Sequence, residues 1–126
     1  MTAKIASVVD DLFFLAKIRE TAKAVGVELV TLDRRKGPSV AAEAHPSLVL
    51  VDLNARTLPA LECIRALKAD PSTQAIPILG FVSHVQDDLI AQARAAGCDK
   101  VMARSAFTRQ LPELLRNAGN EGDHEG

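Results

Sequence analysis

Two short apolar runs in this 126-residue chain each end in acid: Ile5-Ala6-Ser7-Val8-Val9 leads into Asp10-Asp11, and Leu48-Val49-Leu50-Val51 leads into Asp52. Unbroken Val, Leu and Ile runs of this length read as strands buried on both faces, the kind found in parallel sheets. In an open parallel sheet, ligands bind beyond the carboxyl ends of the strands, where the strand order reverses. If the two runs are neighbours, their acids meet there, and like charges that close need raised pKa values or a bound cation. Helix capping accounts for an acid at 10 or 11. It does not account for Asp52, which is followed by Leu53-Asn54-Ala55-Arg56-Thr57 rather than by a helix start.

The remaining segments alternate. Apolar spacing at Leu12, Leu15, Ile18, Ala22 and Val25 predicts a helix over 12–25 with Gly26 as its stop. A second strand is expected at 28–32, a short helix at 37–44 closed by His45-Pro46, and a third strand at 48–51. Residues 58–69 read as a helix with Leu61, Ile64, Ala66 and Leu67 as core positions. Residues 76–82 read as a fourth strand with Pro77 near its start. Ser83-His84-Val85-Gln86 has capping-box spacing ahead of a helix that stops at Gly97. A fifth strand at 100–103 precedes a last helix, with Thr108 as its cap and Pro112 in its first turn. The polar tail 119–126 is expected to be disordered. Five βα units of this kind imply an α/β protein, a three-layer α/β/α sandwich around a five-stranded parallel sheet.

Composition narrows the function. One domain over 1–118 suits the length, and 48% hydrophobic residues suit a globular chain. A net charge of −1 with interspersed signs leaves no footprint for nucleic acid or an anionic membrane surface. Cys63 and Cys98 lie far from any CxxC spacing and read as reduced thiols of a cytoplasmic protein. No apolar stretch approaches membrane length, so neither secretion nor insertion is expected.

Over residues 4 to about 118 the chain resembles a response-regulator receiver domain (CheY-like), as an atypical member. The resemblance implies strand order 2-1-3-4-5, the flavodoxin-like winding, with strands one and three side by side. It matches Asp10 and Asp11 to the acidic pair that helps hold Mg²⁺, Asp52 to the phosphoacceptor, and Asn54 to the residue whose backbone carbonyl completes the metal shell. Mg²⁺ prefers oxygen ligands and is typically held by one or two carboxylates plus a phosphate. It also offsets the repulsion between two anions during phosphoryl transfer.

The other half of the family's site departs from the pattern. Where receivers carry Ser or Thr at the end of strand four stands Val82, with Ser83 next. Where they carry Lys before Pro stand Arg104 and Ser105; the cation is kept, but Arg is a planar fork rather than a compact ammonium. Without proline at 105 a cis bond there costs about 3 kcal/mol, so the loop is expected to differ. Val101 replaces the Tyr or Phe that swings inward on activation. Arg56 lies close enough in sequence to the acceptor to fill part of the site. His84, at the end of strand four, reads as a surface residue more readily than as a ligand. Phe14 is expected in the core and Phe13 toward solvent.

These residues imply a stand-alone receiver-like signalling protein of a two-component phosphorelay, not an enzyme. Asp52 would take a phosphoryl group from a histidine kinase or phosphotransfer protein with Mg²⁺, and Arg104 would pair with that group. Output would pass to a protein partner through the surface of the helix after strand four, strand five and the last helix. The alternative is a pseudo-receiver, a phosphorylation-independent interaction module, which Val82, Val101 and Ser105 favour. A small enzyme or nucleotide binder on the same fold is the weakest reading, since no Gly-rich phosphate loop follows the first strand.

Overall fold

Strand β1 (Lys4–Val8) lies between β2 (Glu28–Thr31) and β3 (Leu48–Asp52), and β4 (Ile78–Val82) and β5 (Lys100–Ala103) continue the sheet beyond β3 in the order β2-β1-β3-β4-β5. The computed structural model describes residues 3–32, 43–56, 59–84 and 86–124, with side chains as far as residue 118. All four strand pairings are parallel, with Val8 opposite Val51 and Asp52 opposite Phe81. The described helices are α1 (Leu12–Val25), α2 (Ala60–Ala69), α3 (Asp87–Ala96) and α4 (Arg104–His124). The expected helix at 37–44 lies largely outside the described residues; Glu43 and Ala44 are helical, and His45 before Pro46 has φ +50°.

Strand alternation divides the core in two. Ile5, Leu50, Leu79 and Phe81 pack with Phe14 and Ile18 of α1 and with Phe107, Leu111 and Leu115 of α4. Ala6, Val8, Val49, Val51 and Val82 pack with Ile64 and Leu67 of α2 and Ala93 of α3. Each fully buried Phe or Leu contributes about 1.5–3 kcal/mol, so both layers hold the sheet firmly. Asp52 continues the face of Leu50, toward α1 and α4.

Several expected boundaries shift, each for a local reason. On α1 the buried stripe is Phe14, Ile18 and Ala22, while Leu12 is 78% exposed and Phe13 92%. Gly26 ends this helix at φ +82°, its N–H donating to the Ala22 and Lys23 carbonyls. On α2 the stripe is Ala60, Cys63, Ile64 and Leu67, and Ala66 faces solvent. Pro77 falls just outside β4, where only its carbonyl is needed, accepting from Val49 N at 2.9 Å.

The largest differences concern α3 and α4. Helix α3 starts at Asp87 with Gln86 in the cap position and no side-chain cap, so the expected Ser83–Gln86 box does not form. Helix α4 begins at Arg104, directly after β5, rather than at a Thr108 cap. With Ser at 105, residue 104 escapes the barrier that a following proline sets against helical backbone. Thr108 Oγ1 instead donates to the Arg104 carbonyl at 2.8 Å, and Pro112 sits in the helix interior, where it has no N–H to give the Thr108 carbonyl. The helix continues to His124, past the start of the tail the sequence leaves without structure.

Candidate functional site

The carboxyl ends of β1 and β3 bring Asp10, Asp11 and Asp52 to one end of the sheet. Asp52 is the last residue of β3 and is 5% exposed. Its Oδ1 accepts from the backbone N–H of Asn54 at 2.9 Å. Burial pushes its carboxyl above the usual range, and the charges of Asp10 and Asp11 add to that rise. The Asn54 N–H and the charge of Arg104 oppose it.

Asp11 is the N-cap of α1. Its Oδ1 accepts from Phe13 N at 3.0 Å and Phe14 N at 3.2 Å, and its Oδ2 from Arg104 Nη2 at 3.1 Å. The Phe14 N–H, then the Arg104 guanidinium, hold this carboxyl below the usual range. Asp10 Oδ2 accepts from the backbone N–H of Arg56 at 2.8 Å. Arg56 therefore meets the acids through its main chain, with its residue surface otherwise exposed.

Arg104 is delivered by the immediate entry of the chain into α4. Its Cζ lies 4.0 Å from the centroid of the Phe14 ring, a cation–π contact. Phe14 is itself fixed, tilted against Phe81 at 5.2 Å and Phe107 at 5.8 Å, while Phe81 and Phe107 stack at 4.3 Å. The sequence assigned Phe14 to the core without showing that its ring would carry a cation.

Asn54 does more than its expected backbone role. Its Oδ1 accepts from Ser83 N at 2.7 Å and its Nδ2 donates to Gln86 Oε1 at 2.6 Å, tying the loop after β3 to the loop after β4. Gln86, read as a capping residue, is half of this latch. No local sequence signal links positions 32 residues apart. Val82 is buried, Val101 half-buried, and Ser83, His84 and Ser105 are exposed. Among the described residues no peptide bond is cis.

The donor set of Asp10, Asp11, Asp52 and Asn54 is all oxygen, which suits a hard divalent cation. Among the described residues, no three acidic, His or Cys side chains are gathered closely enough to hold an ion as they stand. Asp11 is engaged by its cap and by Arg104, so the positive charge balancing it is a guanidinium. A separate cavity of about 230 Å³ lies at the opposite end of the sheet, lined by Ser47, Pro77, Asp99, Lys100 and Asn117, away from these acids. Among the described residues no helix is long and apolar enough to cross a membrane. Cys63 and Cys98 are both free and buried, and burial pushes both thiols up.

No protein-family model matches the chain. The polar-differentiation response regulator DivK of Brucella abortus is 23% identical over 118 residues, spanning 93% of this chain and 96% of that protein. The chemotaxis response regulator CheY4 of Vibrio cholerae superposes with a TM-score of 0.79 at 19% identity, over 94% of this chain and 99% of that one. The chain is thus similar to the CheY-like response-regulator receivers, at the low identity of an atypical case. The Mn(2+)-bound form of response regulator Rcp1 has the same fold, with a TM-score of 0.67 at 19% identity over 91% of this chain and 90% of that one. The receiver strand order expected from the resemblance is the order observed.

Proposed function

We propose that this receiver-like chain is a phosphorelay signalling protein in the cytoplasm that accepts a phosphoryl group on Asp52. The observation that carries the reading is the placement of Asp52: a buried carboxylate at the end of a central strand, within the electrostatic reach of Asp10, Asp11 and Arg104. The donor is a phosphohistidine of a histidine kinase or phosphotransfer protein. An Asp52 oxygen forms a bond to phosphorus as the N–P bond of the ring-protonated donor breaks, leaving a neutral imidazole and an acyl phosphate. The Asn54 N–H holds Oδ1 and so orients the carboxylate. Arg104 supplies a cation to the phosphoryl oxygens.

Asp10, Asp11, Asp52 and the Asn54 carbonyl are the groups that would hold Mg²⁺, which supplies positive charge against the approach of two anions. Output passes to a protein partner through the surface of α3, β5 and α4. A second reading, a phosphorylation-independent interaction module, is favoured by the Asn54 latch on the Ser83 N–H and by the engagement of Asp11 with Arg104. Intact mass after incubation with Mg²⁺ and a small-molecule phosphodonor separates the two. A phosphate adduct in the parent and none in Asp52→Asn supports the first. No adduct and no thermal shift with Mg²⁺ supports the second.

A further inference from the structure

We propose that Arg104 is a built-in counter-cation, positioned by the Phe14 ring, and that a divalent ion binds the acids only in competition with it for Asp11. This rests on the reading that the acids take a divalent ion, and it concerns what that ion must displace. Asp11 has two oxygens, and each is engaged: Oδ1 by the Phe13 and Phe14 N–H groups, Oδ2 by Arg104. An ion on Oδ2 would stand within a few ångströms of a guanidinium, a like-charge approach that disfavours both.

The guanidinium is not loosely held. It stacks on Phe14, which is 7% exposed and braced by Phe81 and Phe107 in the core. Its backbone is fixed as well, because Arg104 opens α4 and its carbonyl accepts from Thr108 Oγ1. A flat, weakly hydrated guanidinium can stack on a ring face and donate to a carboxylate together; an ammonium is strongly hydrated and has no planar face to stack. Arg104 and the Phe14 ring 4.0 Å from its Cζ thus act as one device. It balances the acids when no ion is bound, and an arriving ion frees the guanidinium from Asp11 for other anionic partners at the site.

Mn²⁺ titration, read as free Mn²⁺ by electron paramagnetic resonance, tests this in the parent and in Arg104→Met, Arg104→Lys, Phe14→Leu and Asp52→Asn. Arg104→Met should bind Mn²⁺ about tenfold more tightly, corresponding to about 1.4 kcal/mol. Its melting temperature should fall without metal and rise further on saturation than the parent's. Phe14→Leu, which leaves the acids and Arg104 in place, should also tighten Mn²⁺ binding, by about threefold; a purely structural Phe14 would lower the melting temperature without tightening it. Arg104→Lys should fall between the parent and Arg104→Met. Adding Asp52→Asn to Arg104→Met should abolish the gain, and a gain that survives it would place the Mn²⁺ elsewhere and overturn the proposal. Parent binding that Arg104→Met leaves equal or weaker overturns competition while keeping the cation site. No Mn²⁺ bound by the parent or by Arg104→Met removes the cation site itself, and the proposal with it.

Discussion

Replacing Asn54 by Ala removes the two contacts that join the loops after β3 and β4. The Oδ1 bond from Ser83 N is 2.7 Å and the Nδ2 bond to Gln86 Oε1 is 2.6 Å, both short for amide hydrogen bonds. A neutral intramolecular hydrogen bond contributes about 0.5–1.5 kcal/mol net, and water can reach the Ser83 N–H once the side chain is gone, so the loss should total about 1–2 kcal/mol. For a chain of this size each kcal/mol moves the melting temperature by about 3–6 °C. Scanning calorimetry should therefore show a fall of about 3–12 °C, by the product of those two ranges. The sharper assay is amide hydrogen exchange, in which protection at Ser83 should drop about tenfold. Asn54→Asp keeps an acceptor for Ser83 but cannot donate to Gln86, and should retain most of that protection. A cycle with Gln86→Ala should show a coupling of about 0.5–1.5 kcal/mol. Unchanged Ser83 protection in Asn54→Ala, or a coupling near zero, would refute the latch.

Three further outcomes follow from single side chains. Asp52→Asn, in metal-free buffer, should be more stable than the parent at neutral pH. Because the Asp52 carboxyl is raised in the fold, chiefly by burial, its contribution is fully present below the ordinary aspartate value of 3.8 and is lost as pH rises through the folded value. Urea denaturation across pH should show the advantage of Asn growing through that window, and a difference constant from acid to neutral pH would contradict it. Lys68→Met removes bonds from Nζ to the Gln74 and Ile76 carbonyls and to Asp99 Oδ2 at 3.2, 3.0 and 2.9 Å. With the ion pair partly exposed and its Coulomb share correspondingly small, the loss should be about 1.5–3 kcal/mol by urea denaturation, and a change below about 0.5 would refute the clamp. Ser7 Oγ is fully buried without a hydrogen-bond partner among the described residues, so Ser7→Ala should leave stability unchanged or raise it by up to about 1.5 kcal/mol. A loss above about 1 kcal/mol would mean that the hydroxyl is satisfied in solution.

The sheet was readable because its evidence in the chain is local: Val49, Leu50 and Val51 are apolar on both faces, and the acids at 10, 11 and 52 mark where each run ends. The order of the strands came only through the family resemblance, since periodicity carries no information on neighbours. Two of the misses share one cause, a local signal overridden by a distant contact, and the third is set by a neighbouring residue. Ser83 and Gln86 have capping spacing, yet Asn54 takes the Ser83 N–H and the Gln86 amide. Leu12 has helical spacing with Leu15, yet Phe14 wins the core because Phe81 and Phe107 stand ready to receive it. Thr108 looks like a cap, yet nothing at 105 forces the helix to wait for it.

That last point links the departures at the site to one another. A proline at 105 would hold residue 104 out of helical backbone, and the side chain there would leave the sheet along another path. With Ser105, α4 starts at Arg104, and the first helical residue is set over α1, where Phe14 offers a ring and Asp11 an oxygen. Lysine in that place would be a weaker match to a ring face, so the loss of proline and the change to arginine reinforce each other. A parallel substitution acts across the sheet. Val82 brings no hydroxyl to the end of β4, and the polar connection there is made instead by Asn54 reaching from β3. Both changes replace a group that could respond to a charge on Asp52 with a contact already made in its absence. On the proposed reading, a new charge on Asp52 would be transmitted by breaking the Arg104 pair or the Asn54 latch, the two contacts that stand beside it.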